Sequence, residues 1–413
     1  MVHNKDLLEP YFDSLSQLLS DDYQFEPNIS GIYLKDYKIA KMFLLSYKGS
    51  LDTFNAYRRE IERFLQWCRI IEKKSIKEIT RKEFESYLNF CQKPPKSWIG
   101  LKNEPRFIMK KGERIANKKW RPFVVSLSKI DKNLNKDLDK KDYFLSDKAF
   151  KALFAVISTF YKFLIQENYT IINPALLIRQ KSKFLKTTKV IPKIRRLSEL
   201  QWGYVLETAE ILANKNPYRY ERSLFILNAL YAMYLRISEL AVTERWQPKM
   251  GDFERDQDGN WWFNTIGKGN KPRKITVSDA MLKALKRYRK FLGLPPLPYL
   301  GEDTPLILKA KNTKAMKSIR NIRALVQELF DEAVIRLQKD NQQEEAEQLM
   351  AATVHWLRHT GISDDVKIRP REHVRDDAGH SSSIITDQYI DIEPRARHLS
   401  GKNKKIKPDC MLD

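Results

Sequence analysis

The apolar positions of the chain fall into blocks of helical spacing separated by short polar breaks. From Thr53 to Ile71, the residues Phe54, Tyr57, Ile61, Phe64, Leu65, Cys68 and Ile71 recur at the spacing that lines one face of an α-helix. Thr80-Arg-Lys-Glu83 pairs a hydroxyl with a carboxylate three residues on, the reciprocal cap of a helix start, and Phe84, Tyr87, Leu88 and Cys91 continue that helix. A strongly apolar helix is expected from Ala149 to Ile165, with Asn173-Pro174 as its exit turn. Ser198-Glu-Leu-Gln201 is a second capping box and opens another mainly helical half. Within that half the period changes to two. Trp261-Trp262-Phe263 and Lys274-Ile275-Thr276-Val277 flank Gly267-Lys268-Gly269-Asn270, which predicts a β-hairpin with Lys268 at its tip. The Gln/Glu-rich residues 340–350 read as a solvated helix face.

Two stretches break this pattern. Residues 93–147 are rich in Lys and Arg, carry Trp98, Phe107, Trp120 and Phe123, and are punctuated by Pro and Gly, which argues against one long helix. Aromatics among cations suit a nucleic-acid surface on which rings stack on bases, with Lys118, Lys119 and Arg121 as candidate phosphate contacts. An insertion whose aromatics anchor it to the helices beneath fits the same residues equally well. Residues 179–196 carry Lys183, Lys186, Arg195 and Arg196 with few apolar anchors, and read as an extended basic linker.

Charge sharpens the picture. The 413 residues hold 75 Lys and Arg against 52 Asp and Glu, a formal +23. Such a surplus opposes compaction unless a polyanion offsets it, so nucleic acid is the expected partner. Arg58, Arg59 and Arg63, on the polar side of the first helix, join the candidate DNA contacts. Residues 1–30 run the other way, with Lys5 against Asp6, Glu9, Asp13, Asp21, Asp22 and Glu26, and are expected to pack on the body or on another protomer rather than on DNA. Cys68, Cys91 and Cys410 have no zinc or disulfide spacing and fit a reducing compartment, two as core residues and one as a tail thiol. With neither a signal segment nor an apolar run of membrane-spanning length expected, the reading is a cytoplasmic, nucleoid-associated protein without a membrane partner.

Three local signals carry chemistry. Arg236, with Glu239 three residues on, follows an apolar helix from Leu224 to Tyr234; alone, it reads as a structural ion pair. Lys268 is either an ordinary turn residue or a cation held out on a rigid arm. His355 and Arg358 share a helix face, and Gly379-His380 and Tyr389 follow. His373, among charged neighbours, reads as a surface residue.

Taken together, in this order and spacing, with Tyr389 nine residues beyond His380, the signals resemble the catalytic domain of the tyrosine site-specific recombinase, or phage-type integrase, family. The first half is similar to that family's helical core-binding domain, so the resemblance spans roughly residues 45–395. It implies a mainly α fold with a small β-hairpin or sheet: a helical core-binding domain plus a mixed α+β catalytic domain. The boundaries expected are an acidic segment 1–44, a core-binding domain 45–178 with its insertion, a linker 179–197, a catalytic domain 198–395 and a tail 396–413.

The resemblance also implies roles. Tyr389 would be the nucleophile, forming a 3′-phosphotyrosine. Arg236 and Arg358 would clamp the phosphate oxygens, and Lys268 would protonate the departing 5′-oxygen. His355 would accept the tyrosine proton, His380 would donate to the phosphate, and Glu239 would orient its neighbours. No metal or other cofactor is implied, because the arginines supply the positive charge. Duplex DNA with inverted half-sites is the implied partner, bound by a homodimer that pairs into a synaptic tetramer, with accessory bending or directionality proteins. The task expected is integration, excision or transposition of a mobile element. A type IB topoisomerase-like strand transferase and a non-catalytic regulator derived from an integrase are the alternatives. Three departures from the family stand out: the polar segment Glu244 to Met250, the polar run Gly361-Ile-Ser-Asp364-Asp365-Val after Thr360, and Ala378 before Gly379.

Overall fold

A computed structural model describes residues 8–23, 25–127, 137–179, 195–267, 269–309, 314–380, 382–387 and 401–402. The chain divides into two compact units, Met1–Ile191 and Pro192–Asp413.

In the first unit, a short turn of helix α1 (Leu15–Leu18) precedes α2 (Ile32–Leu45), α3 (Leu51–Trp67) and α4 (Arg81–Gln92). Thr80 and Glu83 cap α4 reciprocally, as the sequence predicts. The stripe Phe54, Ile61, Phe64 and Leu65 of α3 is buried against Phe84, Tyr87 and Leu88 of α4. α3 ends in a π-helical turn, Cys68–Glu72, closed by Lys73 in the left-handed region (φ 58°). Cys68 and Cys91 are core residues, and burial pushes the Cys91 thiol up to about 12. Cys410 lies outside the described residues.

The insertion is built on two-residue strands β1 (Ile99–Gly100) and β4 (Phe123–Val124), paired in parallel, and on a hairpin of β2 (Phe107–Lys110) and β3 (Glu113–Ala116). Its aromatics face inward: Trp98, Phe107, Trp120 and Phe123 are each no more than 5% exposed. That decides between the two readings of this stretch in favour of anchoring, because a buried ring cannot stack on a base. Residues 8–23 pack on the same body. Tyr11 and Phe12 enter the core, both donate their backbone N–H to the buried Glu62, and Asp13 pairs with Arg114.

Helix α5 (Asp147–Gln166) runs through this core and leads to α6 (Pro174–Arg179), whose start Asn173 caps. At 20 residues, α5 is long and apolar enough by composition to cross a membrane, although Lys151, Thr159 and Lys162 interrupt its apolar run. Its apolar face, with Phe150, Leu153, Ile157, Phe160 and Leu164, is instead spent on the core of the unit.

The second unit packs α7 (Glu199–Lys215) and α8 (Pro217–Ala232) together, with Leu224, Phe225, Ile226, Leu227 and Leu230 of α8 wholly buried. Ser198 and Gln201 form the expected capping box. The expected hairpin is present as β6 (Trp261–Gly267) and β7 (Lys271–Thr276), and a third strand, β5 (Phe253–Arg255), extends it into an antiparallel sheet of order β5-β6-β7. Helices α9 (Asp279–Phe291), α10 (Ile319–Lys339) and α11 (Gln343–Met350) follow. α11 is not simply a solvated face, because Ala346 and Leu349 are buried. Helices α12 (Val354–Asp365), α13 (Arg371–Ala378) and α14 (Ser383–Asp387) complete the unit. Most of the basic linker, including Lys183 and Lys186, and most of the tail lie outside the described residues.

Candidate active site

The site grows from the end of α8. Tyr234 takes a left-handed conformation (φ 49°), unusual for a bulky side chain, and so turns the chain out of the helix. Two residues later, Arg236 starts a short 3-10 turn closed by Glu239. The Arg236 N–H donates to Glu239 Oε2 at 2.8 Å and its Nη1 to Glu239 Oε1 at 3.0 Å. Glu239 is buried, while the Arg236 side chain keeps 27% of its surface open. The ion pair is real, and it leaves the cation accessible to an anion.

Arg358 sits deeper, at 3% exposure. From α12 it donates to the carbonyl of Tyr234 and, through Nη2, to the carbonyl of Ala378 at 2.5 Å. A guanidinium fixed by two carbonyl groups cannot swing away, which is the preorganisation a phosphate clamp requires.

His355 and His359 stand one turn apart on α12, with ring centroids 4.3 Å apart and edge to face. His380 follows Gly379, which ends α13 in the left-handed region, and its Nδ1 lies 2.9 Å from Thr386 Oγ1 of α14. All three rings are held neutral near pH 7. Burial, then Arg358, Arg236 and Arg273, bring His380 down to about 4. Burial, then His355, Arg358 and His380, bring His359 down to about 4. His355 reaches solvent on one side, yet desolvation of its ring, then Arg358 and Arg236, lower it too. His373 is exposed, as expected.

The structure therefore brings Arg236, Glu239, His355, Arg358 and His380 together. Lys268 and Tyr389 lie outside the described residues. Gly267, next to Lys268, does reach the site: a Cβ added there would lie 3.5 Å from both Arg236 Nη1 and Glu239 Oε1.

The polar run after Thr360 has a structural explanation. Tyr231 donates to Asp364 at 3.0 Å and Tyr234 donates to Asp365, so the two carboxylates serve a tyrosine of α8 and the one that follows its end, and α12 runs on through them. Arg369 joins this network, bonding Asp365 at 3.1 Å and Asp377 at 2.6 Å.

One residue escapes sequence reasoning. Arg273 of β7 donates Nη2 to Glu239 at 2.8 Å and Nη1 to Ala378 O at 2.8 Å, with its side chain 5% exposed. A signal existed. Strand alternation puts Arg273 on the same inward face as Ile275, where an arginine is out of place unless paired.

The candidate DNA contacts of the first unit divide. Arg63 is occupied internally: it donates to Pro122 O at 2.7 Å, pairs with Glu60 at 3.1 Å and lies over the Phe123 ring at 4.6 Å. Arg58 bonds Asp13 O and Asn55, the latter at 2.8 Å. Arg59, Lys118, Lys119 and Arg195 are exposed, whereas Arg121 and Arg196 are intermediate.

No family model matches the chain. Among curated proteins, it is 26% identical over 144 residues to tyrosine recombinase XerD of Rickettsia conorii, covering 34% of this chain and 42% of that protein. It is 30% identical over 146 residues to XerD of Staphylococcus saprophyticus, covering 35% and 42%. Tyrosine recombinase XerC of Agrobacterium fabrum is 32% identical over 136 residues, covering 32% and 38%. The chain thus spans less than half the length of these relatives. Its fold is similar to that of XerH site-specific recombinase bound to palindromic difH substrate in a post-cleavage complex, with TM-score 0.51 and 17% identity over 90% of this chain and 87% of that one. It is also similar to the Tn1549 transposon integrase in complex with a circular intermediate DNA, with TM-score 0.50 and 16% identity over 88% and 98%. With the mainly helical fold, the hairpin that abuts the Arg236–Glu239 pair and the sequence similarity to XerD and XerC in view, the chain resembles tyrosine recombinases in sequence over about a third of its length and shares its fold with solved site-specific recombinases.

Proposed function

We propose that the chain is a site-specific recombinase that cuts and rejoins duplex DNA through a 3′-phosphotyrosine at Tyr389. The observation that carries this reading is the set of guanidiniums around His380. Arg236, Arg273 and Arg358 all act on that ring, and each disfavours a further positive charge on it. Such a pocket is unfavourable when empty and complementary to a phosphodiester, whose negative charge grows in the pentavalent transition state.

In this reaction Tyr389 Oη bonds to phosphorus as the bond to the 5′-oxygen breaks. The tyrosine proton passes to His355, which desolvation and then the cations Arg358 and Arg236 keep unprotonated and able to accept it. The departing 5′-oxygen takes a proton from Lys268, a group charged at neutral pH and placed beside Gly267. The phosphotyrosine keeps the energy of the broken ester, so a 5′-hydroxyl from a second strand reseals it without ATP. Arg236 and Arg358 hold the non-bridging oxygens, His380 donates to the same phosphate, and no metal or other cofactor enters.

The formal +23 gives broad, salt-sensitive affinity for duplex DNA, and the DNA-bound state of the solved relatives supports that partner. Inverted half-sites read by a dimer, a synaptic tetramer, accessory bending or directionality proteins, and a place in the nucleoid-bearing cytoplasm follow from the same reading. Movement of a mobile element is the biological task proposed. A suicide duplex nicked beside the scissile phosphate tests it. The wild-type chain should trap a covalent protein–DNA adduct and Tyr389→Phe should trap none. An adduct that persists in the variant moves the nucleophile elsewhere.

A further inference from the structure

Arg273 joins three parts of the second unit that come from distant stretches of sequence. It stands on β7, five residues past Lys268. Its Nη2 reaches Glu239, the carboxylate that holds both the backbone and the guanidinium of Arg236. Its Nη1 reaches the Ala378 carbonyl, which also accepts from Arg358. The next residue, Gly379, has φ +64°, and a Cβ there would lie 2.8 Å from Arg273 Cδ and 2.9 Å from its Nη1. Glycine at this position is thus what lets the arginine pass under the turn that presents His380.

We propose that Arg273 is a positioning residue for phosphoryl transfer: it locks the hairpin that carries Lys268, the Arg236–Glu239 pair and the Ala378–His380 turn into one frame, so that these groups meet the same phosphate. The proposal rests on the recombinase reading.

Stability alone would not select this arrangement. Glu239 already has Arg236 as an ion-pair partner, so a second guanidinium adds like charge in a buried place. Burial, and the like charge of Arg236, pull Arg273 below the usual guanidinium range against the favourable pull of Glu239. Its Nε is buried without a hydrogen-bond partner among the described residues. Each feature costs stability, and such costs concentrate where geometry serves chemistry.

The experiment compares the wild-type chain with Arg273→Lys and Arg273→Gln on a nicked duplex selected from a randomised pool by binding to the wild type. Melting temperature, duplex affinity and the single-turnover rate of adduct formation are read for each. Both variants should bind within about twofold of wild type and form adduct at least about tenfold more slowly. Lysine should not rescue the rate, because one ammonium cannot span Glu239 and Ala378 as the planar fork does. A folded variant that forms adduct at the wild-type rate overturns the proposal. So does a loss of rate matched by loss of affinity, or failure of both variants to fold, since each assigns Arg273 to binding or to stability alone. A wild-type chain that forms no adduct instead overturns the recombinase reading, and the positioning role with it.

Discussion

Arg358 and Arg273 donate to one acceptor, the carbonyl oxygen of Ala378, at 2.5 and 2.8 Å. One arginine comes from α12 and the other from β7, so a helix and a strand are pinned at a single atom. Two guanidiniums this close repel each other. They are held by carbonyl oxygens and by Glu239, which leaves a site that gains when an anion arrives.

The two clamp arginines should fail in different ways. Arg358 is buried and donates to two carbonyl groups, so Arg358→Ala takes this donor from the Tyr234 carbonyl, at about 1–3 kcal/mol, while the Ala378 carbonyl keeps Arg273. Arg236 is more open, and Glu239 keeps Arg273 when Arg236 is lost. Both alanine variants should abolish adduct formation while keeping most duplex affinity, which is spread over many cations. Only Arg358→Ala should lower the melting temperature markedly; equal shifts in calorimetry would contradict this ranking.

Gly379→Ala introduces a Cβ at a left-handed position and drives it into Arg273. The backbone cost alone is about 1–2 kcal/mol. Displacing Arg273 should slow adduct formation at least about tenfold, through positioning rather than binding. A variant that melts lower but cleaves at the wild-type rate would limit the glycine to a backbone role.

Much of this architecture was legible because it is local. The capping boxes at Thr80 and Ser198 and the hairpin around Gly267 depend on residues only a few positions apart. Arg236 with Glu239, and His355 with Arg358, are again short-range pairs whose spacing alone suggests contact. Arg273 was not legible, since its partners lie 34 and 105 positions away. The Asp364-Asp365 pair stands out as a polar departure for the same reason: Tyr231 and Tyr234, which satisfy it, lie 133 and 131 positions away. The insertion's aromatics were ambiguous because composition does not say which side of a ring faces solvent.

Acid should destabilise the second unit through its histidines. His359 and His380 sit near 4 when folded, against an ordinary 6.5, so the unfolded chain binds more protons between these values. Their contribution is therefore complete above about 6.5 and is lost as pH falls towards 4. Melting temperature should drop across that window, and less steeply in His359→Gln. After burial, the charge of Arg358, Arg236 and Arg273 depresses His380; a phosphate among these arginines offsets that charge, so duplex binding near pH 6 should take up protons. Calorimetry in buffers of different ionisation enthalpy reads this uptake; release of protons would contradict the placement of the phosphate beside His380.

The insertion offers the clearest separation of folding from binding. Trp120 is 5% exposed, and the Arg106 guanidinium lies 4.8 Å from its ring while pairing with Glu62. Glu62 in turn receives the backbone N–H groups of Tyr11 and Phe12. Trp120→Ala removes the packing surface of that chain of contacts and should destabilise the first unit by about 3–5 kcal/mol. It should leave the affinity of the folded fraction for duplex DNA unchanged. Lys118 and Lys119 beside it are exposed, so changing both to Glu should leave melting unaltered, weaken duplex binding and flatten its salt dependence. If Trp120→Ala instead weakens binding while melting holds, the ring contacts DNA and the anchoring role is wrong.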